Sequence, residues 1–453
     1  MTQTTTAAGP APDHRGRHVD APPPGGGARP QPASTPAPGR LRGRVRSAFQ
    51  GTPGALRLAA IIGVLVCLVF AVLGGNAFKA RGEALDEARN SAAQLVRVQQ
   101  IATDLVRADS LVTNAFLQGG RQGSAGVPGY QAAVTDASTL LAEAAQAQPG
   151  DARALAAVND ALTRYTAAVA TAQANNAQGY QVGGAYLRQA SDLLRTPTST
   201  QPAMLPTLEA VVDADAHRVD DAFTAFNRAS LVLALAGIVV FGGLLGVQIW
   251  LARRTRRVFN VPLTFGTGVV LVALVLGGLA MIFTQSSVDT VRDTNYAATR
   301  ALSQARIAAF DAKSNESLSL VDQSAAGDYE KQYQSLVATA DQELGAASNA
   351  GAGDVGQAEL QAWTDVHAKI READAKGDWS TAVDRATGAS NATFQALDAK
   401  TGSALTSEAN QVSDNLGSPH LILVVLGWLT LLLGLVAAIS AWLGVARRLE
   451  EYR

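Results

Sequence analysis

The chain has 453 residues, with 37 Lys/Arg against 38 Asp/Glu and one cysteine, Cys67, so no disulfide framework is available to it. The near-neutral sum hides a partition. The segments 1–57, 253–257 and 447–453 carry 15 Lys/Arg against 4 Asp/Glu, whereas 79–228 and 289–414 carry 22 against 34. No phosphate-binding loop, kinase signature or nucleophile elbow occurs, so an enzyme is not expected, and neither is a cofactor or a nucleic-acid partner.

The first 54 residues hold 10 of the 17 prolines and 9 glycines with almost no large apolar side chains, the composition of a disordered tail. Its arginine-rich stretch from Arg40 to Arg46 suits anionic headgroups, or serves only as a topology signal. Four charge-free apolar runs follow, at 58–78, 229–252, 258–288 and 415–446. Each exceeds the roughly 20 helical residues that cross a hydrocarbon core. They form two pairs, each bracketing a long Ala-rich segment. Arginine-rich short flanks stay cytoplasmic, so the expected topology has both termini inside and both long segments outside. The runs carry no Asp, Glu, Lys, Arg or His apart from the boundary residue His420, which argues against a pump, channel or proton-coupled carrier. They do carry small residues at helix-packing spacing, in the pairs Ala59/Gly63, Gly242/Gly246 and Ala273/Gly277.

Beyond the first run, Leu85, Ala88, Ala92, Leu95, Val98, Ile101, Leu105, Ala108, Val112 and Ala115 recur at helical spacing. Breaks are expected at 119–129, at Pro149-Gly150-Asp151 with Asp151 as an N-cap, and at Thr196–Pro202, with a short helix near 181–195. A returning stripe then runs from Leu205 to Phe226 and straight on into the second apolar run. The other long segment repeats this plan. It has a stripe from Val288 through Asn295 to Ala312, breaks at Gly327-Asp328 and Gly351–Asp354, and a return through Leu397, Leu405 and Val412. Tyr165-Thr166 before Gln178-Gly179 has the spacing of Trp363-Thr364 before Lys376-Gly377, and Tyr130 aligns with Tyr333.

The fold expected is therefore an all-α membrane protein with four transmembrane helices and two extracytoplasmic antiparallel helical bundles, a tandem repeat of membrane helix, bundle and membrane helix. The boundaries expected are a cytoplasmic tail at 1–57, membrane helices at 58–78, 229–252, 262–284 and 420–445, and bundles at 79–228 and 285–419. A cytoplasmic loop occupies 253–261 and a C-terminal stub 446–453.

Three constellations invite a functional reading. Asp213, His217 and Asp220/Asp221 share one helical face at the spacing of metal ligands, or form a solvated acidic face. Tyr165, Tyr180, Tyr186 and Arg188 in one bundle, and Trp363, His367 and Trp379 in the other, line a small-ligand pocket, build the bundle core and cap, or dock another protein. Arg253, Arg254, Arg256 and Arg257 put four guanidiniums into five residues, a donor set for an acidic cytoplasmic partner or an anchor in lipid. Polar residues also interrupt the stripes. Asp104 and Asp109 flank the first, and Asn295 and Glu316 interrupt or extend the second. Such residues specify register if buried, and are incidental if solvated. A seam position for Asn295 implies that leucine there stabilises the second bundle.

The residues Asn90-Ser91, Gln94–Gln100, Asp104–Asp109 and Asn114–Leu117, with Ala174–Gly179, Val182-Gly183 and Tyr186–Arg188, resemble the GlnX-like membrane proteins of actinobacteria. The resemblance covers roughly 58–446. It implies a non-enzymatic relay between a lipid-anchored homologue of glutamine-binding proteins outside and the soluble Ser/Thr protein kinase G inside, reporting amino-acid availability. The open alternatives are an envelope scaffold and a transporter accessory subunit, and a homodimer is possible for any of them.

Overall fold

A computed structural model describes residues 51–118, 129–180, 182–255 and 260–450. The tail, the 119–128 break, Arg256, Arg257, Phe259 and the last three residues fall outside the described residues. Leu56–Arg453 is one compact unit, and of the other, Met1–Ala55, only the opening turn of the first helix is described.

Among the described residues the chain is helical throughout, without strands. The first helix, α1, is Gly51–Leu117. It is followed by α2 (Tyr130–Ala147), α3 (Ala152–Ala177), α4 (Val182–Arg195) and α5 (Met204–Thr255). The second set is α6 (Val261–Val291), α7 (Ala297–Val321), α8 (Ala326–Ala347), α9 (Gln357–Ala375), α10 (Trp379–Thr387) and α11 (Ala389–Glu450). A π-helical turn, Arg292–Tyr296, joins α6 to α7. The short α4 occupies the place expected for it, and α3 and α9 are each followed by a positive-φ glycine, Gly179 at 76° and Gly377 at 74°.

Among the described residues four helices are long and apolar enough to cross a membrane, in the spans Gly54–Leu117, Met204–Arg253, Val261–Val321 and Ile422–Arg447. Nearly all exposed large apolar side chains among the described residues lie at 58–73, 231–250, 261–283 and 422–443. Only Tyr180, Val182 and Trp379 lie elsewhere. This is the surface of a multi-pass membrane protein, whose apolar belt faces lipid rather than water.

Inside the belt and just beyond it, three stacked clusters each take side chains from α1, α5, α6 and α11. One contains Cys67, Phe70, Val240, Val270 and Ala437. The helices α1 and α11 approach closely, and a methyl added at Gly434 would lie 2.5 Å from the Ala71 Cβ. Of the small pairs read from sequence, Gly63 and Gly277 face neighbouring helices, but Gly242 and Gly246 have nothing within 4 Å of an added methyl.

Beyond the belt, the stripe from Leu85 to Val112 is buried as expected. The two helix sets pack against each other around it. A single apolar core takes Leu95 to Val112 of α1 together with Ala301 to Leu318 of α7, and the remaining helices of both sets pack around this pair. In α7 almost every residue from Ala298 to Leu320 is buried, not one stripe. Asp151 also departs from expectation. It makes no N-cap hydrogen bond, and its carboxylate takes two bonds from Arg218, at 2.6 and 3.1 Å.

Candidate functional site

Helices buried on all faces must satisfy every polar group they carry internally. The central pair does so with a network near the membrane-distal ends of α1 and α7. Asp109 of α1 is fully buried. It accepts from Ser191 Oγ at 2.8 Å, Tyr165 Oη at 3.4 Å, Arg195 Nη2 at 2.9 Å and Ser314 Oγ of α7 at 2.6 Å. Arg195 also donates from Nε to Asp311 at 2.6 Å. One guanidinium thus ties α4 to both central helices. Burial lowers the pKa of Arg195, but Asp311 and Asp109 outweigh it and the guanidinium stays charged.

The next residues of the same α7 turn face the second set. Lys313 Nζ donates to Ser390 Oγ at 2.7 Å and Glu316 Oε1 at 2.5 Å, and Ser390 donates to Glu316 at 2.6 Å. Trp363 is fully buried, with Nε1 donating to Ser390 at 3.0 Å. His367 stacks on Tyr333 with ring centroids 3.6 Å apart. Its Nδ1 lies 2.9 Å from Glu316 and its Nε2 3.1 Å from Glu330. A carboxylate only accepts, so two carboxylates on one ring call for both nitrogens protonated. Burial lowers the His367 pKa, but the bonds to Glu316 and Glu330 prevail and raise it. Glu316, 28 residues beyond the apolar run that ends at 288, is held down to about 2. Burial opposes this, and the charges and hydrogen bonds of Lys313 and His367 overcome it. Turn 311–316 therefore clasps both helix sets (Asp311 and Ser314 on one side, Lys313 and Glu316 on the other).

The aromatic candidates divide. Tyr165, Trp363 and His367 are buried members of this network, while Tyr186 is half-buried against the core. Tyr180 and Trp379 are exposed at the distal end, where Trp379 Nε1 bonds the Leu320 carbonyl at 3.1 Å. Arg188 pairs with Asp322 across the two sets. Asp213, His217 and Asp221 are all exposed, and among the described residues no group of three or more His, Cys, Asp or Glu could hold a metal. Arg253 is exposed at the end of α5, the Arg254 side chain is not described, and Arg256 and Arg257 lie outside the described residues.

Of the stripe-breaking polar residues, Asp104 and Glu316 are buried and bonded like Asp109. Asn295 corrects the seam expectation. It is half-exposed within the π-helical turn, and its Nδ2 donates to Glu408 at 2.7 Å and Gln411 at 3.1 Å on α11. Arg195 and Asp311 were not singled out from the sequence. They are 116 residues apart, so no local spacing links them.

No curated protein and no solved structure matches the chain. Residues 84–224, which run from α1 into α5, match the family model of an actinobacterial sensor domain, a match that supports an actinobacterial sensor protein.

Proposed function

We propose that this protein is a non-enzymatic transmembrane relay. In this reading the distal helices are extracytoplasmic, both termini are cytoplasmic, and the signal leaves through the short Arg253–Arg257 link. The observation that carries the reading is the continuity of α1, α5 and α11, each running unbroken from the apolar belt into the bundle that clasps on α7. A continuous helix cannot absorb a displacement locally, so a binding event that favours one packing of the bundle moves its membrane end. The sensor-domain match supports the sensing half. The arginine partition supports the orientation. The resemblance to GlnX-like proteins supports the finer assignment, with a solute-binding lipoprotein outside reporting amino-acid availability and a Ser/Thr kinase inside. The exposed Tyr180 and Trp379 are the distal docking candidates.

The test replaces Arg253 and Arg254 by Gln, which leaves Arg256 and Arg257 to direct insertion, and follows recruitment of a kinase by cross-linked pull-down from native membranes. Lost recruitment at unchanged protein level supports the relay. Intact recruitment and downstream phosphorylation remove the link from the pathway.

A further inference from the structure

A cleft of about 330 Å³ opens between the two helix sets, well away from the distal network. Its walls come from α1 and α5 on one side and α7 and α8 on the other. Gln99 lies some twenty residues above Lys79, or about 30 Å of helix. The walls are mostly apolar, built from Leu208, Val212, Ile307 and Leu336 among others. This size and lining are those of small-molecule sites.

Two features specify the occupant. First, Gln99 lines the cleft and is only 1% exposed, yet neither its Nε2 nor its Oε1 has a hydrogen-bond partner. An orphaned buried amide costs about 1–3 kcal/mol unless something satisfies it. A rotation of the side chain toward the cleft it borders would let an occupant that both donates and accepts do so. Second, the charged lining residues are Glu209 and Glu343, and none is Lys or Arg. Burial pushes the Glu343 carboxyl up, with Arg300 opposing, so a cation within the cleft would be stabilised there.

We propose that this cleft binds a small amphipathic organic cation, with its ammonium on Glu343 and Glu209, its apolar chain along the walls, and a neutral donor–acceptor group on Gln99. The proposal deepens the sensor reading and rests on it for consequence, because such a ligand bridges α1 and α5 to α7 and α8.

The test uses the full chain in nanodiscs and saturation-transfer NMR, with 6-aminohexanamide as the probe and hexanoate as the charge-reversed control. The expected result is a saturable signal from 6-aminohexanamide and none from hexanoate. Gln99→Leu and Glu343→Gln should each weaken binding about tenfold or more, the equivalent of one lost polar contact. Gln99→Leu should also melt no lower than the parent chain, since it removes an orphaned group. Absent signal, equal signal from hexanoate, or binding indifferent to both substitutions overturns the proposal. So does a lower melting temperature for Gln99→Leu, which would mean that the amide is structurally engaged. Binding without any change in kinase recruitment would retire the relay and leave the cleft. Recruitment that still responds to a signal while the probe fails to bind would retire the cleft alone.

Discussion

Replacing Asp109 by Ala tests whether the distal network locks the two helix sets together. The carboxylate is fully buried and accepts from four side chains on three helices besides its own. Removing one partner of a buried ion pair costs about 3–5 kcal/mol. Arg195 keeps Asp311, which pulls the value toward the lower end. Ser191 and Ser314 lose their acceptor at about 1 kcal/mol each, which pushes it back. The expected loss is about 4 kcal/mol, or a fall of about 8 °C at roughly 2 °C per kcal/mol for a unit of this size. Circular-dichroism melting of the full chain in nanodiscs measures it, with exposed Asp213→Ala as a control expected to stay within about 0.5 kcal/mol. Arg195→Ala added to Asp109→Ala should cost less than the separate losses together, by about 1–3 kcal/mol, because the orphaned charge has gone. A loss under about 1 kcal/mol for Asp109→Ala, or strict additivity in the pair, refutes the clasp.

The pH dependence of melting follows from the second half of the network. The raised pKa of His367 means that its contribution is complete below about pH 6.5, the unfolded value, and is lost as pH rises through the folded one. The lowered pKa of Glu316 means that its contribution holds above about pH 4.5 and is lost as pH falls toward 2. His367→Gln should therefore flatten the alkaline limb and also shrink the acid limb, because His367 helps Lys313 hold Glu316 down, and an unchanged alkaline limb would exclude the imidazolium. Gly434→Leu should cost about 1–3 kcal/mol by forcing α11 from Ala71. Gly242→Ala, which meets nothing, should be neutral in the same melt. Asn295→Leu should lower the melting temperature slightly, by about 1 kcal/mol for bonds to Glu408 and Gln411, and a rise would restore the packed-seam reading.

The apolar runs and the Leu85–Val112 stripe were legible because one periodicity and one length decide each. Gly179 and Gly377, read from sequence only as part of a common spacing, each follow a helix in the left-handed region that favours glycine. The central position of α7 was not. Amphipathic reading looks for one buried face, and α7 carries Lys313, Ser314, Asn315 and Glu316 inside, where composition alone reads as solvent-facing. The partners that make this burial tolerable lie far off in sequence, Asp109 for Ser314 and His367 for Glu316. The aromatic candidates split for a related reason. Nothing in spacing distinguishes Trp363, which finds Ser390, from Trp379, which remains at the surface.

The clasp on α7 also sets an order of events during synthesis. Asp109 and Ser314 are 205 residues apart, so at about 5–20 residues per second the ribosome needs roughly 10–40 s between making one and the other. Arg195 is made 86 residues after Asp109, and from then until Ser314 emerges both face a neighbour not yet translated. The region matching the sensor-domain model, 84–224, ends before that neighbour begins. Excised alone, it would keep the permanent form of this nascent state. The stretch that matches the sensor-domain model is thus shorter in sequence than the packed structure that completes it.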